Sequence, residues 1–223
     1  MTLPQTVIFD LDGTLVDTSP DLTAALNHAL ADLGRPVVDG ATVRHLVSHG
    51  ALAMIERGLA LGGGGTDVEV QRALSVFLDY YADNIATHSR PFDGVEAALD
   101  ALTAAGVELA ICTNKRVALS RALIDALGWT HRFAANLGGD SLAVRKPAAA
   151  HVFATIAAAG GVPETSAFVG DSIVDVAAAH AAGVPVVAVS FGFSDRPVAE
   201  LGATRVIDHY RDLLGALTDL PRA

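Results

Sequence analysis

From residue 107 onward, short and almost uninterrupted apolar runs alternate with segments whose apolar residues recur at helical spacing. No other feature constrains the fold as much. The runs are 107–112, 132–135, 166–169, 185–189 and 205–207. The helical segments are 117–127, 151–159, 173–182 and a closing one near Leu213–Leu217. A strand that is apolar throughout buries both faces, and in strand–helix alternation this means a parallel sheet covered on both sides. Thr6–Phe9 is a further β-prone run, and it is expected to join the same sheet.

Residues 19 to about 87 read differently. Ser19 is an expected N-cap with Pro20 at the first helical position. Leu22, Leu26, Ala29, Leu30 and Leu33 follow at helical spacing, and Gly34 supplies the stop. Val43, Leu46 and Val47 mark a second helix, Leu52, Ile55 and Leu59 a third, and the stretch from Val68 to Ile85 a fourth; Gly62–Gly65 is a loop. An all-helical block, residues 17–89, is therefore expected to be inserted after the first strand of an α/β core made of residues 1–16 and 90–223.

The formal net charge of -10 argues against nucleic acid and against an anionic membrane surface as partners. No apolar run approaches the roughly 20 residues of a membrane span, and the N-terminus lacks the form of a signal peptide. Cytoplasmic is the default expectation. The single cysteine, Cys112, excludes an intramolecular disulfide. Of 15 basic residues only Lys115 and Lys146 are lysines. An acidic chain can hold a phosphate ester only through a local cationic site.

Ligands of open α/β sheets bind at the C-terminal strand ends. There the chain carries Asp10 and Asp12 after the first strand, Thr113 and Asn114 after the second, Lys146 near the middle, and Gly170-Asp171-Ser172 with Asp175 after the fourth. Singly, each reads equally as a turn, a helix cap or a solvated side chain; together and in this order they read as one site. Three clustered carboxylates suit Mg²⁺, which also accepts a substrate phosphate oxygen. A carboxylate is a competent nucleophile toward phosphorus. A second one can protonate the leaving alcohol and then activate water. Lys146 and the Thr113 hydroxyl can stabilise the transferring phosphoryl charge.

These motifs, Asp10-Leu11-Asp12-Gly13-Thr14, Thr113-Asn114, Lys146-Pro147 and Gly170-Asp171-Ser172-Ile173-Val174-Asp175, closely resemble those of the haloacid dehalogenase superfamily. The resemblance implies a Rossmann-like core with an inserted helical cap. It makes Asp10 the nucleophile and Asp12 the general acid/base. It gives Mg²⁺ to the Asp10 side chain, the Asp12 backbone carbonyl and Asp171, with Asp175 in support. Within the superfamily the chain looks most like the phosphoglycolate phosphatases, which implies a small phosphate monoester as substrate. Where that group often has Gly-Asn-Gly, this chain has Ser48-His49-Gly50. A sugar-phosphate phosphatase or mutase shares the motifs and stays open. A phospho-accepting signalling domain shares the Asp, Thr and Lys, but is about half this length. No lysine precedes Lys115, so a Schiff-base lysine in the cap is excluded. The cap is expected to act as a mobile lid hinged at 16–19 and 88–91. Its candidate recognition groups are Arg44, His49 and the Gly50 backbone, with Asn114 on the core side. Monomer and dimer both remain open.

Overall fold

The structure, a computed structural model, describes residues 2–47 and 50–221. Strands β1 (Thr6–Phe9), β4 (Glu108–Cys112), β5 (Ala135–Leu137), β6 (Ser166–Gly170), β7 (Val186–Val189) and β8 (Arg205–Ile207) form one parallel sheet in the order β5-β4-β1-β6-β7-β8. β1 lies in the middle, with Val7 opposite Leu109 on one side and Ala167 on the other. From β1 the chain goes out one way through β4 and β5, then returns to build β6, β7 and β8 on the other side. The gap beside β1 is thus the point where strand order reverses, the place where such sheets bind ligands.

Alternation along the strands separates two cores. Val7 and Phe9 pack with Val169 and Val187 against Val95, Leu99, Leu123 and Leu213. Ile8 and Phe168 point the other way, against Val152, Ile156, Val176 and Ala179. The first face is covered by α5 (Val95–Ala104), α6 (Val117–Ala126) and α9 (Leu213–Thr218), and the second by α7 (Ala149–Ala158) and α8 (Ile173–Ala181). A Rossmann-like layered sheet follows directly from strands that are apolar on both faces.

The inserted helices are α1 (Ser19–Asp32), α2 (Gly40–Arg44), α3 (Ala51–Leu61) and α4 (Asp67–Asp83). Leu26, Leu30, Ile55, Leu59, Phe77 and Tyr81 bury one another in a third apolar cluster. Thr66 and Glu69 form a reciprocal capping box that starts α4. Phe193, from the loop after β7, is buried in this same cluster, so a core loop plugs into the helical block.

Two local expectations are corrected, and two further features went unread. The third run pairs as Ala135–Leu137, not 132–135, because the Arg132 amide closes a turn onto the Trp129 carbonyl. Val95–Ala104 is a helix whose signal went unread. Thr18, with no capping side-chain bond, holds the N-cap position, while the Ser19 hydroxyl bonds Asp17 instead. The two crossings between core and insertion, where the hinges are expected, are paired. They pair antiparallel as β2 (Val16–Asp17) and β3 (Arg90–Pro91), and the buried Asp21 carboxylate accepts from the Ser89 amide and hydroxyl. Among the described residues no helix is long and apolar enough to cross a membrane.

Candidate active site

Asp10 leaves the centre of the sheet with its amide still bonded to the Val169 carbonyl. Its Oδ1 accepts from the Leu11 amide at 2.7 Å and lies 3.0 Å from Lys146 Nζ. No described residue donates to Oδ2. Burial pushes the Asp10 carboxyl up to about 7; Lys146 opposes the shift, and Asp175 and Asp12 reinforce it. Burial likewise pushes Asp171 well up, helped by Asp175 and then Asp10. Burial works to lower Lys146, but Asp10 and Asp175 more than reverse this and keep it an ammonium.

One oxygen each of Asp10, Asp171 and Asp175 lies within 4.8 Å of the others. Three buried carboxylates facing a single lysine leave an excess of negative charge, which a cation relieves. Asp171 accepts one bond on each oxygen, from the Thr14 hydroxyl at 2.8 Å and the Phe193 amide at 2.7 Å. Each oxygen thus keeps a lone pair for a metal. Asp175 is more committed. Its Oδ1 accepts from Lys146 at 2.6 Å, and its Oδ2 from the Ser172 hydroxyl at 2.6 Å and the Ser172 amide at 3.0 Å. The donor set therefore fits a hard divalent cation.

Backbone close approach holds this cluster together. Gly13 has φ +82°, and a methyl there would sit 2.5 Å from Asp171 Oδ2. A methyl at Gly192 would overlap Asp171. Only glycine fits either position.

Asp10, Asp12, Thr113 and Asn114 line one cavity of about 280 Å³, roofed by Leu22, Leu74, Phe77 and Leu78 of the inserted helices. Thr113 is buried at the end of β4. Asn114 Nδ2 bonds the Lys146 carbonyl at 3.1 Å, so it also fixes the segment carrying the lysine. Gly50, with φ +89° at the start of α3, lines the cavity as the sequence suggests. Ser48 and His49 lie outside the described residues. Arg44 does not line the cavity, contrary to expectation. Its guanidinium is taken by Asp17 Oδ2 at 3.0 Å and the Phe191 carbonyl at 2.9 Å, and lies 4.8 Å over the Phe193 ring. It fastens α2 to the core instead. Another cavity, of about 430 Å³, lies at the opposite strand ends near Gln5, Ser166 and Pro185. No group of potential metal ligands is found there among the described residues.

A family model for haloacid dehalogenase-like hydrolases matches residues 4–183. The chain belongs to this family. A phosphoglycolate phosphatase of Mesorhizobium japonicum is 49% identical over 214 residues, covering 96% of this chain and 94% of that one. One of Caulobacter vibrioides is 46% identical over 209 residues, 93% and 88% of the two chains. A crystal structure described as a predicted phosphoglycolate phosphatase from Haemophilus somnus superposes with a TM-score of 0.91 at 33% identity, covering 96% and 98%.

In this haloacid dehalogenase-like hydrolase the sequence reading overlooked Lys115. Its Nζ donates to Asp12 Oδ1 at 2.9 Å, Asp12 Oδ2 at 3.1 Å and the Tyr81 hydroxyl at 2.7 Å, and its side chain is 5% exposed. Its place immediately after Thr113-Asn114, in a chain with two lysines, was the available signal. Arg116 and Arg145 also line the cavity, both exposed. The described cations of this cavity therefore come from the core loops, while the helices roofing it contribute apolar side chains and the Tyr81 hydroxyl.

Proposed function

We propose that this hydrolase is a Mg²⁺-dependent phosphatase that acts on 2-phosphoglycolate through an aspartyl-phosphate on Asp10, with residues 17–89 as a helical cap over the core. The observation that carries the reading is Asp10 in a cavity that also holds Asp12 and Thr113, with Oδ1 held by the Leu11 amide and Lys146 and no described residue donating to Oδ2. Phosphoglycolate phosphatases 49% and 46% identical over nearly the whole chain support the substrate.

Each step falls to a residue already placed. Asp10 Oδ2 attacks phosphorus, and its partner oxygen is kept turned away by the Leu11 amide and Lys146. The P–O bond to glycolate breaks, and the departing oxygen takes a proton from Asp12. Water then gives its proton to Asp12 and attacks the acyl phosphate, releasing inorganic phosphate and restoring Asp10. Lys146 and the Thr113 hydroxyl stabilise the equatorial phosphoryl charge. Asp175 holds Lys146 in place and orients Asp171 through the backbone. Asp10, the Asp12 carbonyl and Asp171 would hold Mg²⁺, and Asp175 supports from behind. When bound, the ion neutralises the carboxylates and polarises a phosphoryl oxygen.

The test is phosphate release from a panel of small esters, 2-phosphoglycolate and sugar phosphates included, with Mg²⁺ and after chelation. Mg²⁺-dependent preference for phosphoglycolate is expected. Preference for a sugar phosphate, or full turnover after exhaustive chelation, would refute the reading. Asp10→Asn should abolish turnover with the fold intact.

A further inference from the structure

We infer that Lys115 is a carboxylate-exchanging latch: it occupies Asp12 in the substrate-free cavity and transfers to the carboxylate of the bound substrate, releasing the Asp12 oxygens. The inference rests on the proposed phosphatase activity and deepens it by assigning the residue that reads the acid end of the substrate.

The geometry creates a conflict that something must resolve. An ammonium has three donors. All three of Lys115 are used, on the two Asp12 oxygens and on Tyr81. Asp12 Oδ1 also accepts from the Thr18 hydroxyl at 2.7 Å. Asp12 Oδ1 has both lone pairs engaged and Oδ2 keeps one, but Lys115 itself has no donor left for a substrate anion in this arrangement.

A substrate with its own carboxylate resolves this. In phosphoglycolate the carboxylate carbon is two bonds from the ester oxygen that Asp12 must protonate. A substrate in place thus brings a second anion beside the first. Lys115 keeps its bond to Tyr81 and exchanges one carboxylate for the other, with the ammonium charge unchanged. Esters without a carboxylate leave the latch on Asp12. Tyr81 belongs to α4, and its ring also lies 4.5 Å from the Lys115 ammonium. The pivot is therefore supplied by the inserted helices, and the latch is assembled only when they sit over the core.

Lys115 suits this role better than the other cavity cations. Arg116 and Arg145 are exposed, where a charge pair is weakly favourable. Lys115 is nearly buried, where truncating one member of a pair typically costs far more.

The experiment compares Lys115→Met with Arg116→Ala and Arg145→Ala, using 2-phosphoglycolate and ethyl phosphate as substrates. Glycolate and inorganic phosphate serve as inhibitors. For Lys115→Met, kcat/KM on phosphoglycolate should fall roughly a hundredfold, and at least about tenfold more than on ethyl phosphate. Glycolate inhibition should weaken at least about tenfold, while phosphate inhibition, which reports a folded phosphoryl site, shifts less than about threefold. Lys115→Arg should recover part of the glycolate inhibition. Equal losses on both substrates with unchanged glycolate inhibition would overturn the latch, and so would a selective loss confined to Arg116→Ala or Arg145→Ala. If the wild type shows no activity on phosphoglycolate, the proposed substrate falls. The ratio of glycolate to phosphate inhibition, read with any ester that is turned over, still decides the role of Lys115.

Discussion

Withholding the metal should make this protein lose stability as pH rises through the range where most proteins are steady. The Asp10 carboxyl is held at about 7 in the folded chain, against 3.8 for its ordinary value. Between those values the folded state binds more protons than the unfolded state, so the slope of stability against pH is negative. The favourable contribution is fully present below about pH 4 and is lost as pH rises through 7. From pH 5 to 7 the slope starts near 1.4 kcal/mol per pH unit and halves by pH 7, which gives roughly 2 kcal/mol. For a chain of 223 residues, each kcal/mol moves Tm by about 2–4 °C, which gives a fall of roughly 4–8 °C. Asp171 is displaced in the same direction and adds to the effect. Mg²⁺ binds the anionic carboxylates, so its stabilisation should grow with pH. The assay is thermal unfolding at pH 5, 6, 7 and 7.5, in chelator and in Mg²⁺, for the wild type and Asp10→Asn. The metal-free wild type should melt progressively lower, the two curves should diverge, and Asp10→Asn should flatten the dependence. A metal-free Tm that is level from pH 5 to 7.5, or an unchanged slope in Asp10→Asn, would refute the reasoning.

Two further perturbations separate roles within the site. Lys146→Ala should lower kcat by roughly a hundredfold or more. It should also destabilise the metal-free protein by about 3–5 kcal/mol, since Asp10 and Asp175 lose their shared cation; kinetics and denaturant titration with and without Mg²⁺ check both. Arg44→Ala should reduce activity by less than about tenfold, equally on phosphoglycolate and ethyl phosphate, and lower stability by about 1–2 kcal/mol, because its half-exposed pair and ring contact fasten α2. A loss selective for phosphoglycolate would return Arg44 to substrate recognition.

The parts legible in the sequence are those where one local property decides the outcome. Val7-Ile8-Phe9 is apolar on both faces, so a central parallel strand and a carboxylate at its exit follow from residue types alone. The motif residues Asp10, Asp12, Thr113 and Asp171 could be picked out because each follows a strand end, and Lys146 because the chain has only two lysines. Arg44 misled because a cation in a polar helix segment reads the same whether it faces a ligand or a salt bridge. Its partners Asp17 and Phe191 are 27 and 147 residues distant along the chain. Lys115 was passed over for the converse reason: beside an N-cap motif a lysine reads as solvated, and only the fold places Tyr81 and Asp12 around it. The pairing of Val16–Asp17 with Arg90–Pro91 was invisible because two-residue strands carry no periodicity.

The loop after β7 links the two halves more tightly than a hinged lid over an independent core would require. The Phe193 amide donates to the carboxylate of Asp171, while its ring is buried in the apolar cluster of the inserted helices under the Arg44 guanidinium. Gly192, beside it, leaves no space for a side chain against Asp171. A rigid shift of the helices would pull the ring, and the peptide that carries the ring also carries the hydrogen bond. Displacement of the helical block and orientation of Asp171 are therefore not independent. Motion that opens the cavity near Gly50 must pivot about the Phe193 anchor if Asp171 is to stay in place. The paired crossings at Val16–Asp17 and Arg90–Pro91 restrict it in the same way. On the far side of the cavity Tyr81 holds Lys115, and the Lys115–Asp12 contact is the one whose state depends on whether a substrate carboxylate is present.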